Sequence, residues 1–181
     1  MARPLLPFLF FCALLLADSV VCQTPTTGPI INDFGKVYKI DNPDFKVHTD
    51  KTYKAVIDVT GKSDSHDARN PLIETAARYL NMHAQSGVPA KQLKVALVIH
   101  GGASKDVMSN TAYQKRYGKD NPNSDLVKSL LNIDVPVIIC GQSATYHDID
   151  RSELIEGVQL SLSAMTALVH LQDEGYRLIK F

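Results

Sequence analysis

The chain lacks any charge excess: 19 Lys and Arg balance 19 Asp and Glu over 181 residues, and no block of like charge stands out. A nucleic-acid partner is therefore not expected, because phosphate binding needs a basic face. Cysteine is scarce, with only Cys12, Cys22 and Cys140. No apolar run reaches the roughly 20 residues of a bilayer crossing, so no retained membrane span is expected. Internal repeats and low-complexity segments are absent. The six histidines are scattered, with no i, i+4 pair of ligand spacing. The glycine-rich segment at 101–102 lacks the Gly-Lys-Ser/Thr element of a phosphate loop. Neither a metal nor a cofactor is expected.

What is present begins with a leader. Residues 1–22 carry Arg3, the apolar run Leu5 to Leu16 and a polar break at Asp18 and Ser19, the pattern of a secretory signal peptide. Cleavage after Cys22 fits Val20 and Cys22 as the small residues of the site and leaves Gln23 first. A periplasmic or secreted protein is expected. Lipid anchoring at Cys22 competes with this reading, although Val21 is a poor match to the small residue of a lipoprotein signal. With Cys12 and Cys22 removed, Cys140 has no partner in its own chain. An unpaired thiol in an oxidising compartment is paired with another chain, buried, or functional.

From residue 23 to 51 the composition is rich in Thr, Pro, Gly, Asn and Asp, which reads as an extended arm lying on the domain. Residues 52–181 alternate between short apolar β-branched runs and amphipathic stretches. Tyr53 to Thr60, Leu93 to His100 and Val135 to Cys140 suit strands buried on both faces. Between them, Pro71 to Ser86 spaces Leu72, Ala76, Leu80 and Ala84 at helical intervals, with Asn70 before it and Gly87 after it. Pro122 to Asn132 repeats that design, preceded by a polar segment, Ser109 to Tyr117. Asp150 to Glu153 has capping-box spacing, Val158 to Leu162 reads as a fourth strand, and Ser163 to Glu174 as a last helix ended by Gly175. Tyr176 to Phe181 reads as a fifth strand. The fold expected is a three-layer α/β sandwich with a mostly parallel sheet of about five strands.

Ligands of open parallel sheets bind beyond the carboxyl ends of the strands. Two segments fall there: His100-Gly101-Gly102-Ala103-Ser104-Lys105 and Cys140-Gly141-Gln142-Ser143-Ala144. A thiol at a strand end, followed by glycine, can have its thiolate stabilised by backbone N–H groups, and His100 or Lys105 could add positive charge. Equally, Cys140 could be the last buried residue of an apolar strand, and His100 a tight-turn residue satisfied by the backbone. Gly141-Gln142-Ser143-Ala144-Thr145 is a partial nucleophile elbow, but Thr145 replaces its last glycine and no acid partner is evident. Tyr146-His147-Asp148 reads as a solvated capping loop. Tyr113, Arg116 and Tyr117 could cover a pocket or form a subunit contact.

Taken together, Leu80-Asn81-Met82-His83-Ala84, Val98-Ile99-His100-Gly101-Gly102-Ala103, Cys140-Gly141-Gln142-Ser143 and Leu162 to Ala167 up to Gly175-Tyr176 resemble the DsrE/DsrF-like family, most closely its exported members. The resemblance runs from about Gly28 to Phe181. It implies a small α/β fold that assembles into trimers or hexamers and, as in sulfur-relay members, a cysteine carrying sulfane sulfur as a persulfide. That role falls on Cys140, with His100 and Lys105 as supporting groups and Gly101, Gly102, Ala103, Gly141, Gln142 and Ser143 around the ligand. The partners would be a sulfane-sulfur donor and an acceptor thiol. The alternative is a non-catalytic oligomer that binds a small ligand at the same strand ends, with Cys140 merely packed.

Overall fold

Strands form where the β-branched apolar runs lie. In the computed structural model, which describes residues 23–61 and 63–181, they are β1 (Tyr53–Val59), β2 (Leu93–Ile99), β3 (Val137–Cys140), β4 (Gln159–Ser161) and β5 (Arg177–Ile179). The leader expected over residues 1–22 lies outside the described residues. The sheet order is β4-β3-β2-β1-β5, and every neighbouring pair is parallel. β1, β2 and β3 sit in the middle and are covered on both faces, so their sequences show no polar alternation. β4 and β5 are short edges with exposed residues. The architecture is the five-stranded α/β sandwich expected from the sequence.

The helices start and stop on local chemistry. α1 (Pro71–Gln85) begins at Asn70, whose side chain accepts from the Leu72 N–H at 3.0 Å, with Pro71 where no N–H is needed. α2 (Asn110–Tyr117) is capped by Ser109 and ends at Gly118 in the left-handed region, φ 72°. α3 (Ser124–Leu131) starts two residues later than the sequence pattern indicates, after Asn123. A short helix not foreseen from the sequence, α4 (Gly141–Tyr146), begins directly after Cys140. α5 (Ala164–Asp173) is capped by Ser163, whose side chain accepts from the Thr166 N–H. Asp150 and Glu153 form the expected capping box, around a single 3-10 turn.

The two faces of the sheet are covered unequally. On one, α1 and α3 pack over Ile57, Val59, Leu97, Ile99 and Ile139 in one large apolar core that also holds Tyr113. On the other, α5 lies across β1, β2 and β3. The buried cluster there is small: Val56, Ala96, Val98 and Cys140 beneath Ala164, Ala167 and Leu171.

The arm belongs to the first face. Residues 26 and 37 bridge antiparallel, and the turn between them is pinned to α1 by the fully buried Asn81. Its Oδ1 accepts from Ile31 N–H at 2.9 Å, and its Nδ2 donates to the carbonyls of Ile31, Phe34 and Gly35. Gly35, at φ 73°, lies so close to α1 that an added Cβ would stand 2.5 Å from the Ala77 carbonyl carbon.

Candidate functional site

Cys140 ends β3 and is the residue from which α4 departs. Gly141 permits that departure, since a Cβ there would stand 2.5 Å from the Ser161 carbonyl oxygen. The thiol is 5% exposed and is the one cysteine among the described residues. Burial pushes its pKa up, but the Ser143 N–H and hydroxyl, together with the Ala164 and Gln142 N–H groups, act more strongly in the other direction. The net result is a thiol below its ordinary value, through hydrogen bonding to the charged form. The Gly101 N–H donates to Ser143 Oγ at 3.1 Å, which occupies a lone pair of the hydroxyl and leaves its proton for the sulfur. The loops after β2 and β3, whose proximity the sequence left open, therefore meet.

His100 extends β2 by one residue, its N–H still bonded to the Val59 carbonyl at 3.0 Å. Because Ile99 pairs with Ile139, the next step in register sets His100 beside Cys140, on strands about 4.8 Å apart. The imidazole is not satisfied by a backbone carbonyl. Its Nε2 lies 2.6 Å from Asp58 Oδ1, and the other oxygen of that carboxylate is 3.1 Å from Lys180 Nζ. Burial raises the Asp58 pKa, yet His100 and Lys180 together hold it below its usual value. Asp58 is in register with Val98, on the face covered by α5. Side-chain alternation puts His100 and Cys140 on that same face.

The remaining expected site residues stand apart from the thiol. Gly101 to Val107 winds as a 3-10 helix, which carries Ala103 into the large core and takes Lys105 to Asp106 Oδ1 at 2.5 Å and Ser63 Oγ at 2.9 Å. Asp106 is fully buried and also accepts from Asn70 Nδ2. Burial raises its pKa despite Lys105 and Asn70. The Lys105 ammonium thus neutralises a core carboxylate, and with Gly102 it lines a separate cleft of about 350 Å³. Arg116, Tyr117, His66 and His147 close that cleft, so the polar segment around α2 does cover a pocket. Arg116 is held there by the His147 and Asp148 carbonyls and by Glu153.

Sequence reasoning missed Asp58, Lys180 and Ala164. Asp58 carried a readable signal: it is the one charged residue in the buried stretch Ala55–Val59 of a central strand, a position that is costly unless the charge is paired. Lys180 and Ala164 gave none, since their closeness to the site depends on β5 and α5 being laid beside β1 and β3.

A parallel five-stranded sheet with a hydrogen-bonded thiol at the carboxyl end of a central strand defines an α/β protein of the strand-end-site class. More particularly, the model of the DsrE/DsrF-like family matches residues 54–181, and the chain belongs to that family. Among solved structures it is similar to a protein of unknown function, MTH1491, from Methanobacterium thermoautotrophicum. That match has TM-score 0.53 and 18% identity, and covers 71% of this chain and 99% of that one. The ychN protein from E. coli matches with TM-score 0.53 and 16% identity over 72% and 100% of the two chains. These identities show a shared fold. No curated protein matches. Family membership is consistent with a place in sulfur relay. Among the described residues no helix is long and apolar enough to cross a membrane, and no three His, Cys, Asp or Glu gather as metal ligands.

Proposed function

We propose that this protein is an exported sulfur carrier in which Cys140 holds sulfane sulfur as a persulfide. The supporting observation is the set of donors on the thiol: three backbone N–H groups and the Ser143 hydroxyl favour its anion, the species that attacks sulfane sulfur. Cys140 thiolate attacks the outer sulfur of a donor R–S–SH, the S–S bond of the donor breaks, and R–S⁻ leaves. An acceptor thiolate later takes that sulfur from Cys140–S–SH and returns Cys140 to the thiolate. Export rests on the sequence of residues 1–22 alone. Assembly into a trimer or hexamer gains support from α5, whose Met165 and Val169 stand exposed one turn apart, with Leu162 exposed just before its cap. The arm supplies less support than its length indicates, since residues 26–35 fold back on their own α1.

Intact-mass spectrometry after exposure to inorganic polysulfide, with Cys140→Ser in parallel, tests the carrier reading. Reductant-reversible addition of sulfur to the wild type alone is expected. Addition only after denaturation would defeat the reading. It would favour the alternative of a small-ligand-binding oligomer, for which the 5% exposure of Cys140 is the specific support.

A further inference from the structure

The carboxyl end of the sheet carries a row of polar side chains on the face that α5 covers. Lys180 follows Leu178, which pairs with Val56, and so comes level with Asp58. Asp58 pairs in register with Val98, and His100 lies one step further on, beside Cys140. The row thus runs from an edge lysine through a buried carboxylate and an imidazole to the thiol, across β5, β1, β2 and β3. Asp58 is 4% exposed at its side chain and makes both of its ion-pair contacts within this row.

An ionised carboxylate can only accept, so the 2.6 Å contact fixes Nε2 as the protonated nitrogen of His100. Nε2 is turned toward β1, and Nδ1 is the nitrogen free for proton exchange among the described residues. The titratable groups facing His100 are Asp58 from β1 and Cys140 from β3, with Lys180 of β5 behind Asp58. α5 brings none to this end of the sheet, its first being His170. Lys105, on the same loop as His100, is held by Asp106.

We propose that Asp58 is a positioning residue that holds His100 as the Nε2–H form, so that His100 Nδ1 delivers a proton to the thiolate expelled when Cys140 takes sulfur from a small alkyl persulfide. This rests on the carrier reading. Cys140–S⁻, R–S–SH and imidazolium give Cys140–S–SH, R–SH and neutral imidazole, which regains its proton from water. Alkyl thiolates are basic leaving groups, and protonation as they depart is where an acid helps. The small exposure of the thiol restricts the donor to a small molecule.

Leaving-group dependence tests the role. Glutathione persulfide expels a basic thiolate, whereas methyl methanethiosulfonate methylthiolates Cys140 and expels a sulfinate that needs no proton. Asp58→Asn and His100→Gln should each slow sulfur uptake from glutathione persulfide on the order of 10²-fold, while reaction with methyl methanethiosulfonate stays within about twofold. The double variant should be no slower than either single one. Lys180 is largely exposed, so loss of the carboxylate leaves its ammonium solvated and the fold intact. An equal fall with both reagents would make Asp58 merely structural, and no fall with the persulfide would remove the proton-transfer role; either overturns the proposal. Failure of the carrier reading shows elsewhere, in a wild type that reacts with the thiosulfonate yet takes no sulfur, and it removes the proposal as well.

Discussion

The two faces of the sheet are made of similar residues and do different work. The face under α1 and α3 is thick, continuous and sealed by the arm, with Ile57, Leu97, Ile99, Leu126, Leu130 and Tyr113 fully buried. The opposite face has α5 over it and only a few small buried residues, and it carries Asp58, His100 and Cys140 at its end. Stability comes chiefly from the first face. On the thin face polar groups gather at its end, where three backbone N–H groups and the Ser143 hydroxyl meet a thiol that is 5% exposed.

The largest effect expected from breaking this division is on the thick face. Leu97→Ala should cost about 2–5 kcal/mol in urea unfolding, and Asn81→Ala about 1–3 kcal/mol, because it strips the arm's buried carbonyls of their donor. On the thin face the largest change should be in reactivity. The rate of Cys140 alkylation should reach half its maximum below the pH of an ordinary thiol. Ser143→Ala should move that midpoint upward and slow the neutral-pH rate up to about tenfold, about one pKa unit. A Ser143→Ala midpoint equal to wild type would deny the hydroxyl its part.

Smaller and of opposite sign on the two faces is the pH dependence of stability. Asp58 has a folded pKa below its unfolded value, so its contribution is full above the unfolded pKa and is lost as pH falls through the folded one. Asp106 has a raised folded pKa, so stability is gained as pH falls from the folded toward the unfolded value. Urea titrations from pH 7 to pH 3 should show Asp58→Asn abolishing the loss at the acid end and leaving the gain. Smallest of all in the monomer, Met165→Glu with Val169→Glu should change unfolding free energy by no more than about 0.5 kcal/mol. The same pair should reduce the mass measured by light scattering to that of one chain. An unchanged mass would move the interface away from α5.

The order of strands and helices was legible because β-branched runs, Asn70-Pro71, Ser163 and the closing glycines each fix a local choice. α4 was not, since Gly141 to Tyr146 buries only Ala144 and has no apolar period to read. Cys140 stands out in the sequence as the one thiol outside residues 1–22, but not all of the groups around it can be named from the sequence. Backbone N–H groups around Gly141 and Gln142 are expected from their nearness in sequence, and Ser143 only as part of the ligand's surroundings, whereas Ala164 and the Asp58–His100 contact come together only when separate strands and α5 converge. Lys105 misled for the reverse reason: it is close to His100 along the chain, and the 3-10 winding of the loop carries it to Asp106.

Asn81 also bears on where this protein can be cut. The family's own portion begins at residue 54, yet a fragment excised there would uncover an amide that meets the backbone of residues 30–35 through both of its polar atoms. A piece begun at residue 54 should therefore unfold more easily than one begun at residue 23, because it loses both the Asn81 hydrogen bonds and the apolar cover of Ile31.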